Sequence, residues 1–255
     1  MKYLLFPFHL LYKLYVGAIF WLSLLFLYPF FHRLLKRKKF ESVFKLKCFW
    51  SKMFQVLLFT PVKVERRAPL PKPPYIICSN HSSYLDIILF YSAFDEYFLF
   101  MGKGELLHWP LFRLFFRKMD IPVHRGNPRF AVRAFHRAKE ELKKGRSIAI
   151  FPEGTIPEGA PALGSFKNGA FKLAVETGLP IVPVTWVNNY RRFGEPSDVW
   201  SGGHPGISKV VIHEPVYPSG ANEPAEFVTL RKEVFRVIDS ALEPPYRSTK
   251  DYANR

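Results

Sequence analysis

Six short runs rich in β-branched and aromatic residues recur between residues 75 and 216, and patterns of helical period separate several of them. The runs are YIICS (75–79), YFLFM (97–101), IPVHR (121–125), SIAIFP (147–152), IVPVTWV (181–187) and KVVIHEPV (209–216). The clearest helical segments are PRFAVRAFHRAKEELKKG and SFKNGAFKLAVETG, which stop at Gly145 and Gly178. A glycine just past a periodic segment takes the left-handed conformation that ends a helix. Strands joined through helices pair in parallel, so the expected fold is α/β, a mostly parallel sheet flanked by helices. Ligands of such sheets bind at the carboxyl ends of the strands, which makes the polar residues directly after each run the ones to weigh.

The segment before these runs has a different character. From Leu14 to Phe31 the sequence LYVGAIFWLSLLFLYPFF carries no charge, enough to cross or deeply enter a bilayer. Arg33, Lys36, Arg37, Lys38 and Lys39 follow it and only Lys2 and Lys13 precede it, so the positive-inside bias places the remainder on the cytoplasmic face. A basic flank is also unlike the small-residue cleavage site of a signal peptide. Residues 40–59 read as a helix with Lys38, Glu41, Lys45, Lys52 and Gln55 on one stripe, a pattern that Lys47 breaks. Such a helix either lies in the membrane interface with its aromatics down or packs in the core of the soluble part. Four prolines between Pro69 and Pro74 mark an extended connection. The expected organisation is therefore N-terminal membrane-associated helices over 1–60, a Pro-rich linker over 61–74, and the α/β domain over 75–255.

The chain has 37 Lys and Arg against 21 Asp and Glu, a net +16, so its partners should be anionic. Aromatic residues make up 17% of it and crowd toward the basic N-terminal region, which favours membrane phospholipids, and no zinc-finger or RRM signature points to nucleic acid. Cys48 and Cys78 are its two cysteines, too few for a disulfide framework. With no H-E-x-x-H or Cys/His cluster, neither a metal nor a cofactor is expected.

NHSSYLD (80–86) follows the first strand and sets His81 five residues ahead of Asp86. That spacing is about 140° around a helix, so the two side chains meet only if His81 lies before the helix begins. They would then form a histidine whose tautomer and orientation a carboxylate fixes, able to take a proton from a hydroxyl. Ser83 and Asp86 also fit a helix capping box, which is the plainer reading. FPEGT (151–155) again turns out of a strand at a glycine, where backbone amides bind anions; the backbone around Gly154 is a candidate for stabilising an oxyanion, and Thr155 with Glu158 fits a second capping box. Arg125 ends a strand at the same edge, and Lys103 and Lys167 are further candidates to hold a phosphate. No G-x-S-x-G supplies a nucleophile for a covalent intermediate.

The order H-x4-D, strand-Arg, FPEGT, then the V-P strand of LPIVPVTW (179–186), with GKGEL (102–106) and FKNGAFKLA (166–174) between, resembles the glycerolipid acyltransferases of the lysophosphatidic acid acyltransferase type. The resemblance implies a glycerophosphate acyltransferase-like fold with His81 and Asp86 as the catalytic pair. It implies acceptor-binding roles for Arg125, Glu153, Gly154 and Thr155. The activity it implies is transfer of an acyl group from acyl-CoA or acyl carrier protein to lysophosphatidic acid, giving phosphatidic acid in phospholipid biosynthesis. Two positions depart from the family pattern: Ile156 stands where an arginine often follows E-G-T, and Met119, with Asp120 next, stands where glycine usually opens the second motif. Ile156 leaves open a different lyso-lipid acceptor, such as an amino-acid-containing one. A catalytically silent lipid-binding protein is the reading from another class, and intact His81 and Asp86 stand against it.

Overall fold

The computed structural model describes residues 2–108, 110–124, 126, 128–194, 201–220 and 225–248. Two helices come first, α1 (Lys2–Lys36) and α2 (Phe40–Leu57), followed by β1 (Val62–Arg66), β2 (Ile76–Ser79), α3 (Leu85–Leu89), β3 (Phe98–Lys103), α4 (Pro110–Lys118) and β4 (Ile121–Val123). The second half continues with α5 (Pro128–Lys143), β5 (Ser147–Ile150), α6 (Gly169–Thr177), β6 (Ile181–Trp186), α7 (Asn189–Arg192), β7 (Ser208–Ile212) and α8 (Glu226–Ser240). All six runs read from the sequence are strands of one sheet, in the order β1-β7-β6-β2-β5-β3-β4. From β6 to β4 the neighbours pair in parallel, while β7 runs antiparallel to β6. The two glycine stops are in place, with φ of 79° at Gly145 and 65° at Gly178.

One stretch differs from expectation. Residues 61–74 are linker only in their second half, because VKVER forms β1, parallel to β7 from Val62 opposite Ser208 to Arg66 opposite Ile212. The alternation of valine with charge is the reason: Val62 and Val64 pack against the core while Lys63, Glu65 and Arg66 occupy the outer positions, and β7 gains a partner along its open side. Helix α2 takes the core placement, one of the two expected for it, with most of its aromatics toward the protein. Val43, Phe44, Trp50 and Phe54 are buried, leaving Phe49, Val56 and Phe59 outward beside Lys45 and Lys52.

Helices α1 to α4 cover one face of the sheet, with Phe31, Phe44, Phe90 and Phe98 in a continuous core; α5, α6 and α8 cover the other around Phe171, Val234 and Ile238. Helix α1 is long and apolar enough to cross a membrane by length and composition. One side of it is nevertheless committed to the body, with Leu24, Leu27, Phe31 and Leu35 buried. The Tyr12 and Tyr15 hydroxyls donate to the carbonyls of Leu58 and Leu57 at 2.9 and 2.7 Å, and Trp50 Nε1 donates to Ser23 Oγ at 2.8 Å. The opposite side exposes Leu11, Leu14, Leu22, Leu25 and Phe26.

Lys47, the residue that breaks the polar stripe of α2, is buried and bonds Asp120 Oδ2 and the Tyr91 hydroxyl, each at 3.0 Å. Asp120 Oδ1 accepts the Phe100 amide at 3.1 Å, so the pair fastens α2 to β3 and to the turn before β4. Desolvating both charges is tolerable only while each has the other. Lys47→Met is therefore expected to destabilise the fold by about 3–5 kcal/mol, because it leaves the buried Asp120 carboxylate unpaired. Urea unfolding of the two proteins measures the difference, and the further change Asp120→Asn in the same chain should recover part of it.

Candidate active site

The strand ends of β2 and β5 lie side by side, with Cys78 opposite Ile150, and two loops leave them at the same edge. Asn80 ties the first loop down: its Nδ2 donates to the Trp186 carbonyl at 3.0 Å and its Oδ1 accepts the Trp186 amide at 2.7 Å. His81 follows directly and lies before α3, where it meets Asp86 with Nδ1 and Oδ2 3.0 Å apart. The Asp86 side chain is fully buried and that of His81 is 12% exposed.

Asp86 accepts three further bonds, from the amides of Ser82 at 2.7 Å and Ser83 at 2.9 Å and from Asn189 Nδ2 at 2.7 Å. Ser83 Oγ in turn accepts the Leu85 amide at 3.1 Å. The capping box and the His–Asp pair thus coexist, one carboxylate starting the helix and holding the imidazole. Because a carboxylate accepts, neutral His81 carries its proton on Nδ1, which leaves the Nε2 lone pair available. Among the described residues nothing bonds Nε2. The ring lies flat against Phe151, centroids 4.2 Å apart at 17°, which fixes its plane.

Glu153 is buried and bridges the two loops, its Oε1 accepting the His81 amide and its Oε2 the Gly164 amide, both at 2.8 Å. Burial pushes its carboxyl up to about 8, the two amide bonds pull it down, and the nearby Asp86 charge raises it. Both carboxylate oxygens are thereby engaged in holding the loops beside His81. Gly154 has φ 79°, and its amide closes a turn onto the Phe151 carbonyl at 2.9 Å. That amide is committed, while the neighbouring Thr155 amide has no bond among the described residues. Thr155, Lys103 and Lys167 are exposed. Lys103 closes β3, two strands from β2, and the Lys167 amide bonds the Pro152 carbonyl at 2.9 Å, placing it beside FPEGT. Arg125 lies outside the described residues; His124 before it follows the end of β4. Met119 is buried in the core next to Asp120, so the turn that differs from the family pattern is held by packing and by the Lys47 pair.

Sequence reasoning missed Asn189. It sits at the start of α7, directly after β6, and the Ser208 hydroxyl bonds its Oδ1, so its amide group is oriented with Nδ2 toward Asp86. The only sequence signal was a pair of asparagines just beyond a strand end at the active edge. Asn189→Ala is expected to lower kcat by about 10- to 100-fold through misplacement of the His–Asp pair, with KM for both substrates retained. A steady-state assay of the folded variant reads both constants.

A sequence model of the Acyltransferase family matches residues 61–187. The chain is 33% identical over 192 residues to the chloroplastic 1-acyl-sn-glycerol-3-phosphate acyltransferase of Arabidopsis thaliana, covering 73% of this chain and 51% of that one. It is 34% identical over 154 residues to the 1-acyl-sn-glycerol-3-phosphate acyltransferase of Pseudomonas aeruginosa, covering 59% of this chain and 57% of the other. It thus spans about half the length of these curated relatives. The crystal structure of the 1-acyl-sn-glycerophosphate acyltransferase of Thermotoga maritima superposes with a TM-score of 0.73 at 31% identity, covering 93% of this chain and 95% of that one.

Proposed function

Because the chain belongs to the glycerolipid acyltransferases of the lysophosphatidic acid acyltransferase type, we propose that it moves a fatty acyl group from a thioester donor, acyl-CoA or acyl carrier protein, to the free hydroxyl of lysophosphatidic acid. The product is phosphatidic acid. The observation that carries this reading is His81, held by Asp86 through Nδ1 with Nε2 open at the strand edge. As the acceptor oxygen attacks the thioester carbonyl, His81 Nε2 takes its proton and Asp86 stabilises the imidazolium. The Thr155 amide of the FPEGT turn is the donor assigned to the tetrahedral oxyanion. Collapse expels the thiolate, which recovers the proton from His81. Lys103, Lys167 and Arg125 are the cations assigned to the acceptor phosphate.

The apolar outer face of α1 supports a membrane location. Its inner face is bonded to the body through Tyr12, Tyr15 and Ser23, which favours a helix entering the membrane alongside the domain over one crossing alone. Arg33, Lys36 and the basic residues after them hold the assembly to the cytoplasmic surface.

The test is a competition assay with the purified full chain in vesicles, one labelled acyl-CoA, and lysophosphatidic acid and monoacylglycerol at equal concentration. Charge-assisted bonds to the phosphate predict a preference of about 10- to 100-fold for lysophosphatidic acid. Equal use of the two, or preference for an amino-acid-containing lyso-lipid in a parallel reaction, overturns the assignment.

A further inference from the structure

A basic hollow of about 530 Å³ opens beside β4, the strand at the free edge of the sheet. Arg113 and Arg117 of α4 and Arg137 of α5 line it together with His108, Phe116 and Pro122. Arg137 donates to the Met119 carbonyl at 3.0 Å. Among the described residues no carboxylate pairs with any of these three arginines. Three guanidiniums around one concavity repel one another, and a ligand bearing several phosphate oxygens relieves that repulsion while matching their planar donor geometry. The volume is that of a small-molecule site.

Its distance from His81 says which phosphates fit. Pro122 pairs with Gly102, Met101 with Ile150, and Ile150 with Cys78, three residues before His81. Three strand spacings of ~4.8 Å put the β4 wall of the hollow roughly 14 Å across the sheet from β2. In lysophosphatidic acid only two carbons and an ester oxygen separate the reacting hydroxyl from the phosphorus, so the phosphate of an acceptor seated at His81 stays close to the strand ends, met there by side chains that reach toward it, and does not itself extend the width of three strands to the hollow. In acyl-CoA a whole pantetheine arm lies between thioester and diphosphate. We infer that the hollow beside β4 binds the adenosine phosphates of a CoA donor, an inference that rests on the acyl-transfer reading of His81. CoA is favoured over acyl carrier protein because the three arginines gather around one concavity of small-molecule size, where a protein carrier presents a broad acidic face.

Arg113 and Arg117 are exposed and form no ion pair among the described residues, so the double variant Arg113→Gln, Arg117→Gln is suited to the test. Two measurements on the full chain decide it: calorimetric binding of adenosine 3′,5′-bisphosphate, and KM for acyl-CoA and for lysophosphatidic acid. The expected result is that the unaltered protein binds the bisphosphate and the variant binds it about 10- to 100-fold more weakly, with KM for acyl-CoA raised by a similar factor and KM for lysophosphatidic acid unchanged. A rise in KM for lysophosphatidic acid instead would make the hollow a lipid-headgroup site and overturn the inference. No change in either constant would make these arginines merely solvated, and loss of turnover with acyl carrier protein without any bisphosphate binding would assign them to a protein donor; both overturn it. If the unaltered protein binds the bisphosphate through these arginines yet acylates no lyso-lipid, the acyl-transfer reading fails and the nucleotide site stands.

Discussion

Replacing His81 by alanine is expected to lower kcat by about 10²- to 10⁴-fold, the range for loss of a positioned general base, while the protein stays folded. The imidazole is the group at this strand end that combines an open nitrogen with a fixed tautomer. Its ring packs on Phe151 and its Nδ1 is held by Asp86. The side chain contributes little to the core compared with Asn80 and Glu153, whose bonds join β2 to β6 and to the FPEGT loop. The backbone amide of residue 81 still reaches Glu153 when the side chain is shortened, so the loop keeps its course. The loss should fall on kcat, with KM for both substrates near its original value. Kinetics on the purified variant, with its circular dichroism beside that of the parent, check both halves of the statement.

Asp86→Asn is expected to have an effect as large or larger, about 10³- to 10⁴-fold in kcat, because it inverts a hydrogen bond instead of deleting one. Asp86 now accepts four bonds, from His81, Ser82, Ser83 and Asn189. An asparagine there has one acceptor oxygen and must aim its amino group at some of these donors. If the amino group faces His81, the imidazole carries its proton on Nε2 and has no lone pair for the acceptor hydroxyl. If it faces Asn189, two amino groups oppose each other in a buried site. The variant should therefore lose thermal stability as well as turnover, unlike His81→Ala. A melting curve together with kcat separates the two variants.

Much of this arrangement was legible in the sequence because its signals are local. Each strand is a short apolar run, Gly145 and Gly178 end their helices for reasons of backbone conformation, and the five-residue spacing of His81 and Asp86 already required the histidine to precede α3. What stayed hidden depends on residues far apart in the chain. Lys47 looked like an error in an amphipathic stripe because its partner, Asp120, is 73 residues away. Glu153 read as a ligand for the acceptor, yet both its oxygens are taken by amides of His81 and Gly164, neither of them a sequence neighbour. Asn189 reaches Asp86 across 103 residues. Strand β1 carries its valine alternation in the sequence, but the four prolines after it give the segment the signature of a linker. The direction of β7 could not be read either, since periodicity carries no sign for parallel or antiparallel pairing.

Direct transfer with His81 as the base is the step that a single-turnover experiment isolates. Full-length protein in vesicles, in excess over acyl-CoA labelled in the acyl group, is first held without acceptor and then mixed rapidly with lysophosphatidic acid. The label should remain on CoA until the acceptor arrives and then pass to phosphatidic acid in one phase, a phase slowed at least ~10²-fold in His81→Ala. Label found covalently on the protein before the acceptor is added, or a His81→Ala rate within a few-fold of the parent, would contradict it.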